Sequence, residues 1–131
     1  MRHNTDLEQR IKAAETHVFK VVFTNTTNHY DTLFGGNALQ IMDEVAFIAA
    51  TRFSRKKMVT VSTSRIDFKK PIPANTIIEV IGTITRIGNT SIDVLVEIFK
   101  EEMYNYSREK AIKGTFTLVA IDENKKPVSV L

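Results

Sequence analysis

Apolar residues between Ala38 and Phe53 recur with the period of a helix. Placed at about 100° per residue, Ala38, Leu39, Met42, Val45, Ala46, Ala49 and Phe53 fall on one broad stripe. This predicts a long helix over about 37–55, wrapped on most sides. Asn37 and Gln40 have the spacing of an N-cap and N3 pair, with Gly35 and Gly36 just ahead. Arg52, Arg55, Lys56 and Lys57 suit the last turn, where cations meet the negative helix end. Elsewhere the pattern is that of strands. His17 to Phe23 is rich in β-branched and aromatic residues, Met58 to Phe68 alternates loosely, and KKPIPAN breaks the chain. Thr76 to Ile87 turns at Gly88-Asn89 into Thr90 to Phe99, and Ala111 to Asp122 forms a last long strand after a turn near 103–107. Residues 5–15 read as a short, poorly anchored helix. The ends, about 1–15 and 124–131, are expected to be flexible.

The expected order is therefore strand, long helix, then about four antiparallel strands joined by short turns. One helix covers one face of such a sheet, leaving the other to solvent or a partner. This α+β arrangement resembles the hotdog fold, an antiparallel sheet of about five strands wrapped around one long central helix.

Composition narrows the chemistry. The 131 residues suffice for a single domain over 1–131, and 43% of them are hydrophobic, enough for one core. Cysteine is absent, which removes disulfides, thiol nucleophiles and cysteine-ligated metals. The longest apolar run, Val45 to Ala50, is too short to span a bilayer, and the N-terminus lacks the apolar core of a secretory signal. A cytoplasmic protein without membrane insertion is expected. The net charge of +3 is mild and selects no partner. No histidine pair has metal-ligand spacing, and no P-loop, GxGxxG or G-x-S-x-G elbow is present. Neither a metal site nor a serine hydrolase is expected.

Asp43 is the first candidate. Its place on the wheel is the border of the apolar stripe, whereas Glu44 falls in the middle of the polar arc. A carboxylate at such a border is partly desolvated and suited to act as base or nucleophile; an acid hydrogen-bonded at a helix edge would look the same. Gly35 and Gly36 leave bare amides at the positive end of the helix, able to hold an oxyanion, or simply make a turn. Asn28 could orient water or a carbonyl, or serve its own backbone. His29 would need Asp31 or Asp43 as partner to act as a base. Arg52, Arg55, Lys56, Lys57, Arg65, Lys69 and Lys70 could rim a phosphate site. Phe47 and Phe53 lie inside the helix and do not alternate with these cations, which argues against a nucleic-acid platform.

The segment NHYDTLFGG, Asn28 to Gly36, followed by NALQIMDE, Asn37 to Glu44, resembles the signature of the hotdog-fold acyl-CoA thioesterases, the single-domain bacterial relatives of the cytosolic long-chain acyl-CoA hydrolases. That pattern is Asn-x-x-Gly-x-Leu-Phe-Gly-Gly, then a Met-Asp pair in the helix. The likeness continues through Val59 to Pro71, Arg86 to Ser91 and Phe116 to Glu123, covering about residues 18–127 in order. The resemblance implies that Asp43 is the catalytic aspartate and that Asn28 meets it across a dimer interface. It implies that the Gly35 and Gly36 amides polarise the thioester carbonyl, and it places Thr60 as a small hydroxyl near the active centre. Asp31 departs from the pattern, which has glycine there, and Thr24 stands where a proline is common.

The expected reaction is hydrolysis of acyl-CoA to a free acid and coenzyme A. Asp43 would activate water or attack directly, and a carboxylate in either role implies activity through neutral pH that fails in acid. Asn28 would position water or substrate, and the Gly36 amide would stabilise charge on the carbonyl oxygen. No cofactor is expected beyond the coenzyme A of the substrate, whose nucleotide end would meet Arg55, Lys56, Lys57, Lys69, Lys70, Arg86 and Ser91. A homodimer with a continuous ten-stranded sheet, and a trimer of such dimers, are expected. The rivals are a hotdog hydratase or dehydratase using His29, a non-catalytic acyl-CoA-binding regulator and, least supported, a nucleic-acid-binding module.

Overall fold

The computed structural model describes residues 2–131, with side chains from Asp6 onward. Helix α1, Arg2–Ala13, leads into strand β1, Thr16–Val21, and a single 3-10 turn at Thr24–Thr26. Helix α2, Gly35–Ser54, precedes β2, Lys57–Thr63, and the two-residue β3, Asp67–Phe68. Three long strands finish the sheet: β4, Thr76–Ile87, β5, Ser91–Glu102, and β6, Arg108–Ile121. The order across the sheet is β1-β4-β5-β6-β2, all antiparallel, with β3 pairing β6 beyond the end of β2. With α2 packed against this sheet, the architecture is the hotdog fold.

Helix α2 has no proline, its glycines are confined to its first two positions, and Ala, Leu, Met, Gln and Glu supply its propensity. Its buried face is Ala38, Met42, Val45, Ala46, Ala49, Ala50, Phe53 and Ser54. The four alanines let the helix lie close to the sheet. A Cβ added at Gly82 on β4 would stand 3.0 Å from Val45 Cγ1 and 3.4 Å from the Val45 carbonyl oxygen. Beneath it Ile78, Val80, Val94, Val96 and Ile98 are fully buried; each such side chain contributes about 1.5–3 kcal/mol.

Several local expectations change. The helix begins two residues before Asn37, with Phe34 at the N-cap and no side-chain cap. Asn37 instead donates through Nδ2 to the Thr26 carbonyl at 3.1 Å, because it already lies within the first turn and faces the preceding loop. At the other end Arg55 adopts the left-handed conformation, φ 56°, and its N–H closes on the Thr51 carbonyl. Within the ends expected to be flexible, described residues on both sides make packing contacts and hydrogen bonds. Leu7 and Ile11 lie against the core, and Arg10 donates to the Phe53 carbonyl at 2.9 Å. Residues 124–131 fold back along β6, where Val128 donates to the Ala120 carbonyl and Val130 is fully buried.

Asp31 also adopts φ 63°, where glycine has no steric cost and Asp is among the few tolerated alternatives. Its N–H donates to the Asn28 carbonyl and its carbonyl accepts from Ala74. Aspartate at this position therefore takes up the left-handed conformation that the loop adopts here.

On the sheet face away from α2, charged residues form a ladder across the strands. His17 on β1 contacts Glu79 and Glu15 through its two ring nitrogens, at 2.7 Å each. Glu79, 8% exposed, also accepts from Arg108 at 2.6 Å, and Arg108 reaches Glu101 as well. Hydrogen bonds to Glu15 and then Glu79 raise the His17 pKa above its ordinary value, against the opposing effect of burial. Burial alone would raise the Glu79 carboxyl; bonds from His17 and Arg108 outweigh it and hold the group below its usual range.

Candidate active site

Asp43 and Thr60 meet. The Thr60 hydroxyl donates to Asp43 Oδ1 at 2.6 Å, joining the third turn of α2 to the edge strand β2. The sequence explains the meeting. Met58 turns inward on β2, so Thr60, two residues on, points to the same side, toward the helix. Next to Thr60 a β-bulge shifts the register between β2 and β6.

Asp43 is not desolvated within one chain. Both Asp43 and Glu44 are exposed, so what separates them is what each reaches. Asp43 takes the Thr60 hydroxyl; Glu44 faces a cavity on the other flank of the helix. Nor is α2 wrapped on most sides. Leu39, one turn before Asp43, is 38% exposed, and Phe47, one turn after it, is 45% exposed. Val59 and Val61 flank Thr60 along the chain and are exposed too, on a strand whose outer edge has no partner among the described residues. Leu39 and Phe47 thus leave exposed apolar surface on either side of Asp43 along the helix, next to the open edge of β2.

The other candidate groups sit at the start of α2. The first helical bond runs from the Ala38 N–H to the Phe34 carbonyl, so the Gly35 and Gly36 amides have no intrahelical acceptor. Asn28 is partly buried, and its Oδ1 accepts from the Tyr30 N–H at 2.9 Å and from the Thr32 N–H and hydroxyl at 3.2 and 3.1 Å. The carbonyl end of Asn28 thus shapes its own loop, leaving Nδ2 as the group to offer a ligand. From Gly36 to Asp43 is seven residues, about 10 Å along the helix. No hydrogen bond links Asn28 to Asp43 among the described residues.

The seven residues expected at the nucleotide end do not gather into one rim. Lys69 and Lys70 follow β3 and their N–H groups donate to the Ala111 carbonyl. Lys70 lines a cavity of about 290 Å³ with Gly35, Phe68 and Leu33, beside the start of α2. Arg55, Lys56 and Lys57 lie at the opposite end of the helix, about 30 Å away for 20 residues. There Lys56 Nζ reaches the Ser129 carbonyl. Arg86 is committed to Asp93 at 2.7 Å and to the Ser91 hydroxyl at 2.9 Å, a pairing that holds the Asp93 carboxyl low. The long helix separates groups that lie close in charge pattern only.

His29 is exposed beside Tyr30, ring centroids 4.0 Å apart, and forms no ion pair among the described residues. No group of three or more His, Asp or Glu able to hold a metal occurs among them. None of their helices is long and apolar enough to cross a membrane. Two features escaped sequence reasoning, Thr32 as the partner of Asn28 and the cavity bounded by Glu44. The spacing of Asn37, Ile41 and Glu44 along one flank of the helix was the available signal for the second.

The fold thus carries an aspartate on its central helix and, at the start of that helix, two glycine amides without intrahelical acceptors. The model of the thioesterase superfamily matches residues 30–106, and the chain belongs to that family. It is 38% identical to an uncharacterized acyl-CoA thioester hydrolase of Bacillus subtilis over 83% of its own length and 63% of that protein's. The chain thus spans less than two thirds of that relative. An acyl-CoA hydrolase of Staphylococcus aureus, solved with butyryl coenzyme A, coenzyme A and coenzyme A disulfide, superimposes with a TM-score of 0.87. It is 31% identical, over 91% of this chain and 73% of that one. The same enzyme has been solved with alanine in place of a threonine, of an aspartate and, bound to coenzyme A, of an asparagine. A hexameric acyl-CoA thioesterase without ligand superimposes with a TM-score of 0.88 at 30% identity, over 91% of this chain and 76% of that one.

Proposed function

We propose that this protein hydrolyses acyl-CoA thioesters to a free acid and coenzyme A, at sites shared between two copies of the chain. The observation that carries the reading is the Asp43–Thr60 pair, joined at 2.6 Å on an apolar, open-edged face. The free amides of Gly35 and Gly36 lie about 10 Å away along the same helix. A thioester carbonyl held at those amides cannot also touch Asp43 of the same chain. A second copy laid along the β2 edge would bring its own Asp43 to them, cover Leu39 and Phe47, and remove an exposed edge from each sheet. Such dimers could associate further into a trimer of dimers.

In this arrangement the thioester oxygen accepts from the Gly36 amide, with Gly35 beside it and the Asn28 Nδ2 group contacting water or substrate. Asp43 of the other copy, oriented by Thr60, takes a proton from water as its oxygen bonds the carbonyl carbon. The carbon–sulfur bond then breaks and the sulfur leaves as the coenzyme A thiolate, which is protonated. Lys69 and Lys70, beside the start of α2, are placed to meet the phosphates of the nucleotide end. The side-chain types replaced in the S. aureus hydrolase, threonine, aspartate and asparagine, are those proposed here. The test is thiol release from an acyl-CoA panel by the parent and by Asp43→Asn. Turnover that collapses in a folded variant supports the reading, and a variant as active as the parent refutes it.

A further inference from the structure

The arginines with described side chains divide into two groups. Arg65, Arg86 and Arg108 each meet a carboxylate: Asp67, Asp93, and both Glu79 and Glu101. Arg10, Arg52 and Arg55 form no ion pair among the described residues, and all three line one cavity of about 250 Å³. Its remaining walls are Ala13, Ala14 and Phe53, so no acid lines it. The fold gathers these side chains by setting the end of α1 against the end of α2. Arg10 of α1 donates through Nη2 to the Phe53 carbonyl at 2.9 Å and lies over the Phe53 ring, 4.4 Å from its centre. Arg52 of α2 donates to the Ala13 and Glu15 carbonyls at 2.8 and 3.0 Å and to the Thr16 hydroxyl at 3.1 Å. The Glu15 carboxylate turns to His17 instead. Arg55 ends the helix at φ 56°, and its side chain makes no hydrogen bond among the described residues. Capping of helix ends accounts for Arg10 and Arg52 one at a time. It accounts neither for Arg55 nor for three guanidinium groups facing one cavity with only neutral partners.

We propose that this cavity binds a small anion of the phosphate class, phosphate or diphosphate, at the junction of α1 and α2. Guanidinium groups present planar forks of N–H donors that match phosphate oxygens. Forks from three positions suit a tetrahedral anion of more than one charge, whereas a carboxylate has two oxygens and a single charge, which one arginine satisfies. Arg10 spends one of its five donors on Phe53, so both it and Arg55 keep N–H groups to offer. The place is separate from the thioester site. Asp43 and Arg52 are nine residues apart, which at about 100° per residue puts them on opposite flanks of α2. A copy docked over Asp43 and the β2 edge meets the other flank. The Gly35 and Gly36 amides lie a helix length away, about 30 Å for 20 residues. Binding here requires no turnover, so it stands or falls apart from the hydrolase reading.

Calorimetric titration and thermal unfolding of the whole chain test it, at constant ionic strength, with inorganic phosphate and diphosphate as probes and acetate as a singly charged control. Arg55→Gly removes one guanidinium at a left-handed position that glycine favours, so the helix end is kept. Arg10→Gln removes a second and retains an N–H donor for the Phe53 carbonyl. Diphosphate should bind once per chain and raise the thermal midpoint. Acetate should bind at least about tenfold more weakly, and each arginine variant should weaken diphosphate by a similar factor through the lost charge-assisted bond. Lys69→Ala and Lys70→Ala should leave diphosphate binding unchanged. Glycerol 3-phosphate then separates the sources: affinity equal to that of phosphate assigns the site to phosphate esters, and exclusion assigns it to the free ion. Diphosphate that neither binds the parent nor raises its midpoint overturns the site. Binding that survives both arginine variants, or is lost in the lysine variants instead, overturns it as well.

Discussion

Replacing Thr60 with valine removes one hydroxyl and little else. Valine is close in volume, β-branched and suited to strand β2, so the edge strand and its bulge should form as before. The lost contact is the 2.6 Å hydrogen bond to Asp43 Oδ1. A bond of this kind to an ionised acceptor is worth about 1.5–3 kcal/mol. Both partners are exposed in the single chain, which favours the lower end; a second copy covering them would move the value up. At about 1.36 kcal/mol per factor of ten, kcat should fall about ten- to a hundredfold. The hydroxyl meets Asp43 and not the coenzyme A phosphates, so KM should change little. Thr60→Ser keeps the donor and should restore most of the rate, with thermal midpoints close to the parent for both variants. Thiol-release kinetics on purified proteins decides it. Full kcat in Thr60→Val, or equal impairment in Thr60→Ser, would refute the role of this bond in orienting Asp43.

Three further outcomes follow from the fold. Gly82→Ala sets a methyl 3.0 Å from Val45 Cγ1, at about 1–3 kcal/mol and roughly 4 °C of thermal midpoint per kcal/mol. Adding Val45→Ala should recover part of that loss; strictly additive midpoints would disprove the contact. Because the His17 pKa is raised, its stabilisation is complete below about pH 6.5 and lost as pH rises through its folded value. His17→Gln should therefore flatten the alkaline decline seen in denaturant titrations, and unchanged slopes would count against the paired imidazolium. Asp31→Gly should unfold within a degree or two of the parent, since relief at φ 63° offsets the added chain entropy, whereas Asp31→Ala should lose about 1 kcal/mol. A Gly variant that melts several degrees lower would contradict the left-handed assignment.

Much of this molecule is legible from local pattern. The period of Ala38 to Phe53 reports a helix because one face of α2 meets one sheet, and the long hairpins β4-β5 and β5-β6 follow from alternation and short turns. Asp43 stands out because it borders that face. What escapes the pattern depends on distant contacts. Asn37 resembles a cap in sequence, yet the Thr26 carbonyl claims its side chain. Val128 and Val130 look like part of a loose tail until β6 and the β4-β5 turn give them partners. The cations at 55–57 and 69–70 read as one cluster because charge patterns carry no distance, while a helix of 20 residues keeps them apart. The exposure of Leu39 and Phe47 was hidden for a different reason. Periodicity reports an apolar face without saying whether the same chain or a second copy covers it.

The central claim is that Asp43 of one chain serves the helix start of another. Asn28→Ala and Asp43→Asn chains, each expected to be inactive alone, can be co-expressed with different tags and isolated as the hybrid dimer. A shared site leaves the hybrid with one complete Asn28 and Asp43 set of two, so it should recover about half the parental kcat per dimer. A hybrid as inactive as either parent variant would place both residues in the same chain's site and contradict the account.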